Sequence, residues 1–395
     1  MHSHIKQPTF LILVTLTFFN DCIAAGLDRS GQSITDFFQE GIYASISYNY
    51  SIPHIDGDDT GLSSQGKFNE IPNLSRKSSS FRSGLKFDLN EKISLGLIYD
   101  QPFSISLKHH GQNDFVSQTE HCVQGTQANL DSNNLTGLVG LNINKNFGIF
   151  AGPAIQEIAG QVKLRGQIYK NIANYDAELL SDYSTGWVAG FNIKKPEVGL
   201  KSSLTYRSEI EHDAKGAEQF TAISQNVYLS NVKFISPKSV NFDFQTGLSK
   251  TTQLTTNLRW VPWSNFEFKP PKLAERTAPA TLDRSGYPLI NYKKDQWSAQ
   301  IGLGQKITDK ISLSASILWD SGLGNPANAL GPIDGYWGTG LGAQYKFLPN
   351  WAISISGRYL WFGDAQAARQ NGDIVGIFAD NHSYSLGFKL TYQKR

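Results

Sequence analysis

The most usable chemistry in this sequence lies in four arginines. Arg207, Arg259 and Arg358 fall on the polar faces of alternating stretches, and Arg29 follows Asp28 near the amino end. A guanidinium presents a planar fork of donors that grips a carboxylate through two parallel bonds, so each could hold the acidic head of an amphiphile. Each could equally be tied up in an ion pair with Glu209, Asp243 or Glu267, because a buried charge must be paired. Other reactive residue types lead to no site. His109, His110, His121 and Cys122 crowd one segment, but their spacing matches no metal-ligand pattern, and no metal site is expected. There is no G-x-S-x-G elbow, no H-E-x-x-H and no phosphate loop. His382 and Ser383 are neighbours in sequence and therefore face opposite ways on a strand. No catalytic residue, no cofactor and no enzymatic activity are expected. With 36 Lys+Arg against 34 Asp+Glu, no basic field points to nucleic acid.

The elements that carry these side chains are strands. In residues 310–319 (KISLSASILW), Ile311, Leu313, Ala315, Ile317 and Trp319 point one way, and Ser312, Ser314 and Ser316 the other. That period of two is strand geometry. It recurs at Tyr384, Leu386, Phe388, Leu390 and Tyr392, and again from Trp337 to Phe347. About fourteen strands are predicted, starting near Gly41, Ser79, Lys92, Leu130, Phe147, Asp182, Glu197, Lys238, Thr251, Asp295, Lys310, Gly335, Trp351 and Asn381. Tight turns, such as those at Asn90-Glu91 and Thr308-Asp309, alternate with polar loops predicted over 53–78, 110–129, 171–181, 213–237, 269–294, 321–334 and 363–380. Short turns on one side and long loops on the other are the arrangement of outer-membrane barrels. A soluble sandwich would bury one face of each strand against a second sheet. Here the second face carries Ser, Gln, Asn, Lys and Arg almost throughout. The reading is an all-β transmembrane antiparallel barrel with lipid outside and a polar lumen.

The amino end reads as a targeting segment. Lys6 precedes a short apolar run over 10–19 (FLILVTLTFF), and small residues follow at Ala24 and Ala25. The division expected is a signal peptide over 1–24, a hatch segment over 25–40 and the barrel over 41–395, in the outer membrane of a Gram-negative cell.

Several segments resemble one family in order along the chain. They are 25–27 (AGL), 204–216 (LTYRSEIEHDAKG), 237–247 (PKSVNFDFQTG), 258–266 (LRWVPWSNF) and 380–388 (DNHSYSLGF). Together the chain resembles the outer-membrane long-chain fatty acid and hydrocarbon channels of the FadL/TodX type. The resemblance implies a monomeric fourteen-stranded barrel surrounded by lipid and lipopolysaccharide, with a lumen plugged by a small amino-terminal hatch. It implies a hydrophobic small-molecule substrate, such as a long-chain fatty acid, that enters through an apolar groove between loops. The substrate then leaves sideways at a kink in the third strand, without ATP. The family's Asn-Pro-Ala hatch element is missing here; Asn325-Pro326-Ala327 lies in a late loop. Pro102 falls within the third strand, where it removes a ladder bond and so marks either the lateral exit or a position beyond the membrane rim. Phe266, Phe268, Leu273, Tyr287, Leu289 and Ile290 could form the entry groove or pack their loop onto itself. An open porin for polar solutes and a surface adhesin or receptor are the alternatives.

Overall fold

The computed structural model describes residues 27–62, 65–119 and 122–394. The signal-peptide reading falls on residues outside that set, as do His121 and the side chain of Cys122. Fourteen antiparallel strands close into a barrel. They are β1 (Ile42–His54), β2 (Ser78–Asp88), β3 (Ile93–Asp100, resuming as Ser104–Lys108), β4 (Gln127–Asn142), β5 (Phe147–Leu164) and β6 (Tyr175–Lys195). Then follow β7 (Leu200–Arg207, resuming as Ile210–Phe220), β8 (Val227–Ser236, resuming as Ser239–Gly247), β9 (Thr252–Val261) and β10 (Gln296–Lys306). The last four are β11 (Ile311–Asp320), β12 (Tyr336–Leu348), β13 (Trp351–Phe362) and β14 (His382–Lys394). β14 pairs with β1 from Ile42↔Lys394 to His54↔His382, which closes the sheet.

Alternation sorts the side chains. Ile46, Leu85, Val139, Ile301, Leu341 and Phe388 lie exposed on the outer face, while Ser47, Ser203, Thr205, Asn241, Gln300 and Lys389 are buried inside. Paired aromatics mark the rims: Trp187 with Tyr206, Trp260 with Trp297 and Trp319 with Trp337 above, Trp351 with Tyr392 below. Such belts sit at the headgroup level. Among the described residues no helix is long and apolar enough to cross a membrane; the strands make the crossing.

Two expected loops are strand instead. Residues 213–237 form an upward hairpin of β7 and β8, paired from Ile210↔Ser236 to Gln219↔Val227. β6 begins at Tyr175, so the loop expected over 171–181 ends well before Ser181. The strand expected from Glu197 starts at Leu200, after a 3₁₀ turn over Pro196–Val198. In the hairpin, alternation persists (Ile210, His212 and Ala214 buried; Glu211, Asp213 and Lys215 exposed). Above the bilayer the outer face meets water, and its charges disguised the strand.

The loops fold inward over the barrel mouth. Leu27, Ile71, Leu74, Phe115, Trp263, Leu273, Leu289 and Phe378 belong to one buried core there. His109, just past the end of β3, is part of this cover. Its ring stacks on Phe115 at 4.2 Å and 4°, and neither ring nitrogen has a hydrogen-bond partner. Burial, with His110 beside it, pushes its pKa down to about 3. The folded loop therefore binds a neutral ring. Its contribution is complete above the unfolded value of about 6.5 and is lost as pH falls from there toward 3. Hydrogen exchange should show amides near 109–115 losing protection as the medium is acidified through that window. His109→Phe should remove this pH dependence; identical profiles for the two proteins would contradict the assignment.

Candidate functional site: the hatch, the lumen cavities and the broken third strand

The hatch runs from Leu27 to Glu40 through the lumen and is held by its charges. Asp28 and Arg259 form a bond of 2.7 Å with both side chains almost fully buried. Arg259 also donates to Asn241 Oδ1 at 2.7 Å and to Gln32 Oε1 at 3.0 Å. Asp36 accepts from Lys389 at 3.1 Å and from Arg82 at 3.3 Å, and from the Tyr43 and Ser45 hydroxyls. Burial alone would push the Asp36 carboxyl up. The Lys389 and Arg82 charges outweigh that and hold it well below the usual carboxylate range. Phe37 and Phe38 pack edge-on against Phe150. Gly96 and Gly140 leave room for the Phe37 ring: a Cβ on Gly96 would come within 2.4 Å of it, and one on Gly140 within 2.8 Å.

The arginines thus part company. Arg259 is the hatch's wall anchor, and its partner is Asp28 rather than Asp243 or Glu267. Arg207 is buried without a carboxylate in reach. It donates to Thr136 Oγ1 at 3.1 Å and to the Gln32 carbonyl at 3.3 Å, while its Nε–H has no partner. Asp243 bonds Asn257 and Ser203 instead, and Glu209 and Glu267 are exposed. Arg29 donates to the Asp28 carbonyl at 3.0 Å. Arg358 lies half-buried on β13.

Two cavities border the hatch, and another lies above them. The upper one, about 460 Å³, is walled mainly by Ile105, Leu130, Val162, Leu179, Phe268 and Ile290. The inner one is a narrow space lined by Gln32, Phe103, Asn134, Gln156 and Arg207 among others. Below the hatch a polar vestibule of about 680 Å³ opens between Phe38, Asn192, Lys201, Asp243 and Gln300. Of the residues expected in the entry groove, Phe268 and Ile290 line the upper cavity. Phe266, Leu273 and Leu289 are buried in the loop core. Tyr287 lies at the loop surface, its hydroxyl donating to the Ala280 carbonyl at 3.0 Å. Leu273 lies in the first turn of helix α1 (Pro271–Thr277), where its amide and that of Lys272 donate to buried Glu218 at 2.8 and 2.9 Å.

β3 breaks at Gln101, Pro102 and Phe103, which lie opposite only Asn133 and Ser132 of β4. The Ser132 hydroxyl fills the missing rungs, accepting from Phe103 N at 2.8 Å and donating to its carbonyl at 2.9 Å. On the other edge the β2–β3 ladder stops at Ser83↔Tyr99. Beyond it, Phe81 N donates to the Gln101 side chain at 2.8 Å, and contact resumes only at a bridge between Ser75 and Leu107. The hatch crosses behind this gap: Arg29 N donates to the Pro102 carbonyl at 2.7 Å, and Ser104 N to the Leu27 carbonyl at 2.9 Å. Pro102 is buried. Asp36, Arg82 and Lys389 were not singled out from sequence. Inward placement by alternation was the available signal for Arg82 and Lys389.

A closed barrel with an apolar band, a charge-anchored hatch and a broken wall strand defines an outer-membrane transport barrel. The chain belongs to the outer membrane protein transport family (OMPP1/FadL/TodX), whose model matches residues 82–394. Its fold is similar to that of a Pseudomonas aeruginosa FadL homologue (TM-score 0.69, 15% identity, covering 90% of this chain and 91% of that one). It is also similar to the P. putida toluene transporter TodX (TM-score 0.62, 10% identity, 90% and 91% covered) and to the CymD monoaromatic hydrocarbon channel (TM-score 0.55, 11% identity, 90% and 89% covered). No curated protein matches by sequence. The protein is thus a β-barrel of the Gram-negative outer membrane and a member of a family of hydrophobic-compound channels.

Asp36→Ala would leave Lys389 and Arg82 buried beside an empty space, weakening the hold of the hatch by about 3–5 kcal/mol. Planar-bilayer recordings should then show open-channel events that the unaltered protein lacks. An equally quiet trace would mean that other contacts hold the hatch.

Proposed function

We infer that the protein passes long-chain fatty acids or other hydrophobic small molecules inward by diffusion, releasing them sideways at the broken third strand. The observation that carries this reading is the closeness of two cavities to the wall gap. Ile105, one residue beyond the resumption of β3, lines the upper cavity, and Phe103, within the break, lines the inner one. A molecule that leaves the loop core along these two residues arrives at the gap between β2 and β3. That gap opens beside lipid-facing Phe81 and Tyr99, whose rings lie 5.9 Å apart. The unused Arg207 Nε–H, with Gln156 Nε2 beside it, suits the carboxylate of an amphiphile as its tail enters the apolar space.

The closed ladder leaves no strand edge to pair with another chain, which supports a monomer in lipid and lipopolysaccharide. The polar vestibule favours the open-porin alternative. The dry loop core above it and the ion-paired hatch argue for a lumen closed to bulk water.

Uptake of a labelled fatty acid by a deletion strain carrying the gene on a plasmid is the direct test; no difference from the empty strain would refute the function. Arg207→Gln should weaken capture of a carboxylate substrate by ~1.5–3 kcal/mol, roughly tenfold or more in affinity, and leave an uncharged hydrocarbon unaffected. Equal losses for both would remove Arg207 from head-group binding. A bulky maleimide adduct at Ser104→Cys, in a Cys122→Ser background, should abolish most uptake; undiminished uptake would place the exit elsewhere.

A further inference from the structure

The wall has a second interruption, on the side away from β3. β6 and β7 pair from Lys195↔Leu200 up to Val188↔Arg207 and again from Leu179↔Gly216 to Tyr175↔Phe220. Between these ladders no pair joins residues 180–187 to residues 208–215. The register is the same above and below, but both strands change phase between, at 180–181 and at 208–209, so inward Ile210 and His212 fall opposite outward Thr185 and Tyr183 and the ladder lapses while the strands stay side by side. β6 stays paired to β5 along most of this stretch, and β7 to β8 from Ile210 upward, so the opening is confined to one seam.

Side chains close that seam. At its foot Ser208 N donates to the Trp187 carbonyl at 2.9 Å, and Trp187 N donates to the Ser208 hydroxyl at 2.9 Å. Higher up, His212 Nδ1 lies 2.8 Å from Asp182, with its other nitrogen 3.1 Å from Gln156 and 3.2 Å from Ser236. Ile210 fills the notch at Gly186, where a Cβ would stand 2.7 Å from the Ile210 side chain. The inner cavity lies directly behind. Its lining comes from both flanks of the seam (Trp187 on one, Ser208 and Ile210 on the other) and reaches inward to Phe103 and Arg207. Trp187 is half exposed on the outer surface. Three buried polar atoms of that lining have no partner: Arg207 Nε, Gln156 Nε2 and Asn134 Oδ1.

We propose that the β6–β7 seam is a second lateral port, through which uncharged hydrophobic molecules held at the membrane interface enter the inner cavity. The seam starts at the aromatic belt and rises from it. There water and headgroups can satisfy the unpaired backbone, which hydrocarbon could not. The lower part of its outer flank carries exposed Glu209 and Glu211, which repel an anionic head, while Asp213 higher up is paired with Lys233; a molecule with no more than a hydroxyl or carbonyl passes them. Inside, the orphan donors and the Asn134 oxygen receive that group, and Phe103 packs against the apolar part.

The test uses the full-length protein in lipid vesicles and an uncharged apolar diazirine probe, with adducts mapped by mass spectrometry. Photolabelling is expected at Gln156, Ile210 and Arg207. In an Asp182→Cys, His212→Cys, Cys122→Ser variant, bridging the new thiols with dibromobimane should reduce those adducts several-fold relative to the same variant unbridged. The unbridged form, shown folded by its heat-modifiable gel mobility, is the reference. Equal labelling with the seam bridged and open, or no adducts at these residues in the unaltered protein, would overturn the proposal. Labelling requires no transport, so either result leaves the uptake function to be judged by its own assay.

Discussion

Hydrocarbon offers no hydrogen bonds, and every other feature of this protein follows from that constraint. A strand in lipid must give each N–H and C=O to a neighbouring strand, so the sheet has to close, and β14 must find β1. Closure fixes alternation: apolar residues outside, polar residues inside. It also makes any break in the ladder expensive unless something else takes the orphaned groups. At β3 the replacements are a serine hydroxyl, a glutamine side chain and the backbone of the hatch. At the β6–β7 seam they are a histidine–aspartate bond and a position above the aromatic belt.

A polar lumen creates the second demand. Inward arginines and lysines need counter-charges, and the wall supplies few of them. The hatch brings two: Asp28 to Arg259 and Asp36 to Arg82 and Lys389. Breaking either group strands a buried charge, so the hatch is held by the cost of removing it as much as by attraction. Arg207 falls outside this scheme. It lies between the two anchors with one donor unused, next to the aromatic ring that borders the broken strand.

The barrel was legible because lipid and lumen impose opposite preferences on successive residues, and because turns and loops differ so much in length. The segments that misled were those where the outer environment changes. Above the bilayer, Glu211, Asp213 and Lys215 replace apolar residues on the outer face of β7, so the alternation reads as a polar loop. The break at Pro102 was visible because proline lacks the ladder's donor. The β6–β7 seam was not: no proline marks it, and its cause is a one-residue change of phase in each strand, at 180–181 and at 208–209, too brief to stand out against the alternation on either side. Ion pairing was legible in kind but not in partner. Sequence separation hides the fact that Asp28 and Arg259 meet, since nothing local specifies where a non-strand segment will lie inside a barrel.

The ligation of Asp36 carries a consequence for how the molecule is made. Its contacts come from β1 (Tyr43, Ser45), from β2 (Arg82) and from β14 (Lys389). The first and last strands to be synthesised both contribute. The carboxylate therefore cannot be fully satisfied until the carboxyl-terminal strand has arrived and the two ends of the sheet are zipped together. Seating of the plug is in that sense a signal that assembly is complete, and a barrel stalled one strand short would keep an unsealed bore.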